Sequence, residues 1–275
     1  MTDAFSSWTL EDDFRKLPQA FYADIGPQPA GGQSQLLHVS EQAAALLDLE
    51  QAHWSQAEFL KAMAGEGPVP GFEPLAMVYA GHQFGHYVPQ LGDGRAVLIA
   101  QMQNQAGEHW DIQLKGAGRT PFSRFGDGRA VVRSSVREYL MSEAMAALGV
   151  PTTRALTLVG TGAEVQREVV EPGAIVSRLS PSFIRFGHFE YFHHRRQPAL
   201  AQQLADHAIA RHFEGLSYEE WFQEVVHRTA DLMAHWQAIG FTHGVMNTDN
   251  MSILGLTIDY GPYGMLDTYD PHFIP

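Results

Sequence analysis

The order of apolar patterns along the chain constrains its fold more than any other feature. Arg95–Met102 is an apolar run of strand length, and Trp110–Lys115 alternates as a second strand, with the polar Asn104–Gly107 suited to a hairpin turn between them. Arg129–Leu148 has a helical period: Val132, Val136 and Leu140 recur at a spacing of four, and Gly149 with Pro151 stops the run. Thr153–Val159, Val165–Val170 and Ala174–Arg178 then read as three more strands. Pro198–Phe213 and Ser217–Ile239 read as helices, the second opened by Ser217 and Glu220 as a capping box. Ahead of these, residues 1–75 read as an N-terminal extension. Gly26–Pro29 and Gly31–Gly32 break it, and Ser40–Leu49 and Trp54–Met63 suit short amphipathic helices. The expected class is α+β, with a strand-rich lobe over 76–180 that holds one key helix and a helical lobe over 181–275.

The polar loop after the last helix carries the strongest chemical signal. It reads His243-Gly-Val-Met-Asn-Thr-Asp-Asn250, and Asp259-Tyr260-Gly261 follows. Kinase catalytic loops run His-Arg-Asp-x-x-x-x-Asn, then a strand, then Asp-Phe-Gly. Small-molecule phosphotransferases tolerate Gly after the His. Here the His, the Gly and the closing Asn are in register, but Val245 fills the slot of the catalytic Asp. Valine cannot accept a proton from a substrate hydroxyl. Asn250 and Asp259 remain as hard oxygen ligands suited to Mg2+, with phosphates and water completing the shell. Asp249 is the nearest carboxylate that could replace the missing base; its alternative role is to cap the turn. His243 reads as a loop-stabilising residue. The element order and this loop together match a protein-kinase-like, two-lobed fold. They imply nucleotide chemistry other than ordinary phosphoryl transfer, or nucleotide binding without chemistry.

Three upstream features could serve a nucleotide. Lys115 ends a strand and opens Lys-Gly-Ala-Gly-Arg-Thr; it could reach phosphates if a helix carboxylate fixes it, Glu138 first and Glu143 second. The alternative is a surface Lys beside a helix Glu. Gly126-Asp127-Gly128-Arg129 precedes the helical run, so free N–H groups and the helix dipole would make an anion site there, unless it is a plain turn and cap. Its twin, Gly92-Asp93-Gly94-Arg95, precedes a strand and could be a hairpin turn that covers phosphates. Arg178 and Arg185 flank Ser180-Pro181-Ser182 near the expected junction of the lobes. Arg suits bidentate phosphate contacts. Ordinary kinases put adenine at this junction, so two arginines there imply a nucleotide turned around, or else two structural ion pairs. His82-x-x-x-His86 has zinc-like spacing, but Gly81 and Gly85 argue against a helix.

Composition narrows the partners. The net charge is −13, which argues against nucleic acid, because that affinity rests on Lys and Arg neutralising phosphates. Lys16, Lys61 and Lys115 are the only lysines, so one of three lies in a Gly-rich motif. Cysteine is absent, which excludes disulfides and thiolate metal sites within the chain. No apolar run approaches the roughly 20 residues of a membrane span, and no signal-peptide pattern opens the chain. A cytoplasmic protein with no membrane partner is expected.

Several longer motifs resemble the selenoprotein O (YdiU) family: Tyr79-Ala-Gly-His-Gln-Phe-Gly85, Gln90-Leu-Gly-Asp-Gly-Arg95, Gln113–Arg124, His243–Asn250 and Asp259–Pro262. The likeness runs from roughly Phe72 to Asp270. The resemblance implies a protein-kinase-like fold that binds ATP in an inverted pose and transfers AMP to Ser, Thr or Tyr hydroxyls of proteins, redox proteins among them. It implies that Lys115, Asp127, Gly128, Arg178 and Arg185 hold the phosphates, and that Gly92, Gly94 and Arg95 belong to the same nucleotide site. Asn250 and Asp259 would bind Mg2+, with Mn2+ as the alternative metal, and Asp249 would be the catalytic carboxylate. The family continues past the Asp-Tyr-Gly turn, whereas this sequence ends at Pro275, so a C-terminally truncated chain with an incomplete helical lobe is expected. A nucleotide-binding pseudokinase scaffold and a phosphotransferase using Asp249 as a displaced base are the competing readings.

Overall fold

In the computed structural model, which describes residues 4–268, 270 and 272–273, strands β1 (Thr9–Glu11), β2 (Tyr22–Asp24) and β3 (Gln35–Val39) lead into short helices α1 (Glu41–Ala45), α2 (Gln51–Trp54) and α3 (Ala57–Met63). Strands β4 (Leu75–Met77), β5 (Gly81–Gln83), β6 (His86–Val88), β7 (Ala96–Gln103), β8 (His109–Lys115) and β9 (Ala130–Val131) follow. Helix α4 (Val132–Ala147) precedes the long strands β10 (Arg154–Gln166) and β11 (Val170–Ser180). Then come α5 (Phe186–His194), α6 (Pro198–His212), α7 (Tyr218–Ala238) and the short strands β12 (Phe241–Thr242) and β13 (Gly264–Met265). The class is α+β, as the sequence implies.

The chain divides into two units. The first comprises Met1–Val78, Gly92–Glu143 and Arg154–Ser182; the second comprises Tyr79–Leu91, Ala144–Thr153 and Phe183–Pro275. The first unit is built on a nine-stranded sheet in the order β2-β4-β7-β8-β11-β10-β3, with β1 added to β7 and β9 to β11. Side-chain alternation, offset in β10 by a register shift between Ala155 and Thr157, sets its layers. Leu156, Val159, Ile175 and Leu179 face a core shared with Ala43, Ala44, Phe59 and Met63. Ala155, Leu158, Ala174 and Val176 face the other way, against Tyr139, Val132 and Val136 of α4. Because Lys115 stands opposite Val176 and Gln113 opposite Arg178, these residues share the α4 side of the sheet.

The second unit holds the hairpin β5–β6, helices α5 to α7 and the β12–β13 pair. Ser217 and Glu220 cap α7 as expected: the Glu220 N–H donates to Ser217 Oγ at 3.3 Å and the Ser217 N–H to Glu220 Oε2 at 2.9 Å. Val225, Leu232 and Trp236 form its buried side.

The structure departs from the expectations at two places and adds a helix that they lack. The three strands expected between Thr153 and Arg178 are two, because β10 runs through Gly160 and Gly162 to Gln166. A register shift between Gly160 and Glu164 absorbs these glycines as a bulge, which places the turn at Arg167–Val169. The helix expected from Arg129 begins at Val132, since Ala130 and Val131 pair with Ala174 and Gly173 of β11. Sheet pairing overrides helical period over those residues. Finally, α5 has no counterpart in the sequence reading. Gly187 and a run of aromatics and histidines give it weak intrinsic helicity, and burial of His188 and Phe192 supports it instead.

Candidate functional site

In the sheet unit a buried string of polar side chains lies on the α4 side. Lys115 Nζ is 2.6 Å from Glu138 Oε2, and Arg178 Nη1 donates to Glu138 Oε1 at 3.2 Å. Arg178 Nη2 also donates to Gln113 Oε1. Gln113 Nε2 in turn donates to Asp93 Oδ2 at 3.1 Å, and the Met77 N–H reaches the same oxygen at 3.0 Å. All five side chains are buried. Two carboxylates thus balance two cations, as buried charges require.

The glycines around Asp93 serve close packing. Gly92 has φ +68°, and a β-carbon there would meet Phe122 at 2.5 Å. Thr120 Oγ1 donates to the Asp93 carbonyl at 2.7 Å, which ties Gly92–Arg95 to the Thr120 turn. This segment is not a hairpin tip: the preceding hairpin is β5–β6, and Gly92–Arg95 leads directly into β7. The Arg95 side chain is exposed.

Gly126–Arg129 is a clasp and not a helix N-terminus, because β9 intervenes. Asp127 accepts from Arg167 Nη1 at 2.7 Å and from the Arg129 N–H at 2.9 Å. The Arg167 hydrogen bond holds the Asp127 carboxyl below the usual range despite partial burial. Arg129 donates to the Gln28 and Pro29 carbonyls at 2.7 and 3.0 Å. Gly128 has φ +71°, and a β-carbon would lie 2.0 Å from the Gly118 carbonyl oxygen, so only glycine fits there.

The helical unit holds the second group. Asp249 lies in a single 3-10 turn, Thr248–Asn250, and is buried. Gln83 Nε2 of β5 donates to Asp249 Oδ2 at 2.8 Å, and the His82 N–H donates to Thr248 Oγ1 at 2.8 Å. Thr248 donates to Glu190 of α5. Asp249 Oδ1 is buried and has no hydrogen-bond partner among the described residues. Gly81 backs that oxygen: a β-carbon there would sit 2.3 Å from it. Burial pushes the Asp249 carboxyl up; Gln83 and the Arg185 charge oppose this, and Asp259 adds to it.

Asp259 has φ +59°, a left-handed backbone uncommon for aspartate. Its Oδ2 accepts from Arg185 Nη2 at 3.0 Å. Arg185 is 1% exposed, and its guanidinium lies 4.6 Å from the Tyr79 ring centroid. Burial and the neighbouring Arg185 charge push His188 down to about 3, so its imidazole is neutral. His243 Nε2 lies 2.7 Å from the Ile258 carbonyl oxygen, and its Nδ1 accepts from the Val245 N–H at 3.3 Å, which makes Nε2 the donor. Trp236 stacks on the ring at 5.2 Å. This histidine therefore joins the loop before Asn250 to the residue preceding Asp259.

The family model described as "Protein adenylyltransferase SelO" matches residues 4–275. The chain belongs to the SelO family. It is 55% identical over 273 residues to a relative named "Protein nucleotidyltransferase YdiU" from Thiobacillus denitrificans, covering 98% of this chain and 56% of the relative. A relative of the same name from Myxococcus xanthus is 54% identical over 270 residues, covering 96% of this chain and 55% of that one. The chain spans about half the length of the curated relatives it matches.

Lys115, Glu138 and Arg178 come together in one unit, and Asp249, Asn250, Arg185 and Asp259 belong to the other. Of the two carboxylates offered for Lys115, Glu138 takes the pair and Glu143 does not. Glu143 instead binds Arg154 at 2.7 Å. Gln113, Asp93, Gln83 and Arg167 are partners that no sequence pattern singles out. Gln113 was the most accessible of these, since strand alternation puts it on the same face as Lys115. His82 and His86 stand on the paired strands β5 and β6, not on one helix face.

Proposed function

We propose that this chain carries the nucleotide-handling part of a protein adenylyltransferase with a kinase-like fold. The observation that carries the reading is Asp249. It is a buried carboxylate with one uncommitted oxygen and a raised proton affinity, in the loop where Val245 leaves the usual base slot empty. A carboxylate of that kind suits general-base work on a hydroxyl. The acceptor oxygen of Ser, Thr or Tyr would attack the α-phosphorus of ATP. The bond from that phosphorus to the bridging oxygen breaks, pyrophosphate leaves, and the hydroxyl proton passes to Asp249.

Asn250 and Asp259 would hold Mg2+, or Mn2+ in its place. The chemistry of the set suits such an ion: Asn250 and Asp259 supply hard oxygens, and Asp249, next to Asn250 in the chain, has a buried Oδ1 with no hydrogen-bond partner among the described residues. A bound metal would neutralise charge on the phosphates. Lys115, Asp127, Gly128, Arg178 and Arg185 are assigned to the phosphates of an inverted ATP, with Gly92, Gly94 and Arg95 in the same nucleotide site. Charge neutralisation and positioning would supply most of the rate. Protein substrates, redox proteins among them, and a cytoplasmic setting belong to the same reading. None of the helices among the described residues is long and apolar enough to cross a membrane.

One observation favours a second reading, a nucleotide-binding scaffold: Lys115, Arg178 and Arg185 all have carboxylate partners within the chain. Labelled ATP separates the possibilities. Transfer of α-label to a protein, with none from γ-labelled ATP, is expected for adenylylation. Transfer of γ-label means a phosphotransferase, and binding with neither label means a scaffold.

A further inference from the structure

The hairpin that supports Asp249 ends in an exposed phenylalanine. Gln83 and His86 are the last paired residues of β5 and β6, so Phe84 and Gly85 alone form the connection. Both have positive φ, +51° and +77°. Two-residue turns of this kind favour Asn-Gly, and a bulky residue at positive φ is an outlier. Phe84 is nevertheless 92% exposed, so it contributes almost nothing to the core. A strained backbone and an aromatic ring in water both work against the isolated fold. The adjacent residues tie this tip to the proposed base: Gln83 donates to Asp249 Oδ2 at 2.8 Å, and Gly81 backs Asp249 Oδ1.

We propose that Phe84 is a docking residue for the protein acceptor, packing against an aromatic or aliphatic side chain close to the hydroxyl that Asp249 deprotonates. The inference rests on the transfer reading above. Its occupant is a protein segment because the group beside the hairpin is the acceptor-side carboxylate, and the curated relatives are named as acting on proteins. Exposed aromatic rings are the usual anchors of such contacts.

The test uses the 275-residue chain. Peptides with a fixed Ser, Thr or Tyr among randomised neighbours are supplied with α-labelled ATP and Mg2+. Phe84→Asn gives the turn its favoured residue, so the hairpin persists; Phe84→Trp retains an aromatic ring. The native chain should prefer peptides with an aromatic or aliphatic neighbour. Phe84→Asn should lose that preference and raise KM for those peptides about tenfold, the effect of one lost anchor contact, with a smaller change in kcat. Phe84→Trp should keep the preference, and calorimetric ATP affinity should be the same in all three. Equal peptide selection by the native and Asn variants overturns the proposal. So does a fall in ATP affinity in Phe84→Asn, which would make Phe84 a nucleotide contact. Should no peptide accept label, the transfer reading fails, and docking is then read from fluorescence polarisation of the same peptides. Weaker binding to Phe84→Asn alone would sustain docking, and identical binding would overturn it as well.

Discussion

Glu138 holds two cations, Lys115 and Arg178, with almost no water to help. Removing its charge leaves both buried and under-compensated. Glu138→Gln should therefore cost on the order of 3–5 kcal/mol in chemical denaturation. A loss below about 1 kcal/mol, the size of an exposed pair, would mean that water or a rearranged partner replaces the carboxylate. Glu143 makes a different prediction. Burial would raise its proton affinity, but hydrogen bonds from Arg154, Ser40 and the Ala155 N–H outweigh burial and lower it. A lowered carboxylate stabilises the fold above its unfolded value, about 4.3. That contribution fades as pH falls through the lower folded value. Glu143→Gln should thus flatten the acid limb of the stability curve below about pH 4, and an unchanged limb would remove the role. The sequence could rank these two glutamates because Glu138 lies about one and a half turns into the apolar-facing helical segment; the two are five residues apart, about 140° around a helix, so they cannot both face Lys115. It could not show Gln113 beside Arg178, since that pairing depends on register between two strands distant in sequence.

At the scale of elements, the 3-10 turn with Asp249 is held from two sides, by the β5–β6 hairpin and by α5. Gly81 is the point where the hairpin closes most directly on the carboxylate. Its added methyl would need space already filled by Asp249 Oδ1 at 2.3 Å and Leu91 Cδ1 at 2.5 Å. Gly81→Ala should displace the carboxylate and lower transfer by 10-fold or more, on the scale of small misplacements at a reacting centre. The thermal midpoint should move only a few degrees, and full transfer in this variant would free Asp249 from any positional requirement. The glycines at 81 and 85 were legible as evidence against a helix and hence against a His82–His86 zinc site. The docking of this hairpin on Asp249 was not legible, because it joins segments more than 160 residues apart. Helix α5 was illegible for a related reason: its support is tertiary burial and not local propensity.

At the scale of the molecule, the net charge of −13 opposes the approach of an anionic nucleotide. Any ATP affinity must then come from local cations, and Arg178 and Arg185 are the test. In a conventional pose they would lie near adenine, and removing them would cost ATP and adenosine alike. In an inverted pose they meet phosphates through charge-assisted bonds worth about 1.5–3 kcal/mol each. Losing one should then weaken ATP about 10- to 100-fold and leave adenosine within about twofold, since each 1.4 kcal/mol is tenfold. Both arginines already hold carboxylates, Glu138 and Asp259, so an alanine at either site also removes an ion pair from within the chain, although Glu138 keeps Lys115. Arg178→Lys and Arg185→Lys keep that charge while giving up the planar fork. The lysine variants should fold normally and show an intermediate ATP loss in calorimetry, again without an adenosine loss. If adenosine weakens in step with ATP in the folded lysine variants, the arginines serve the base or the fold, and the inverted nucleotide has to be abandoned.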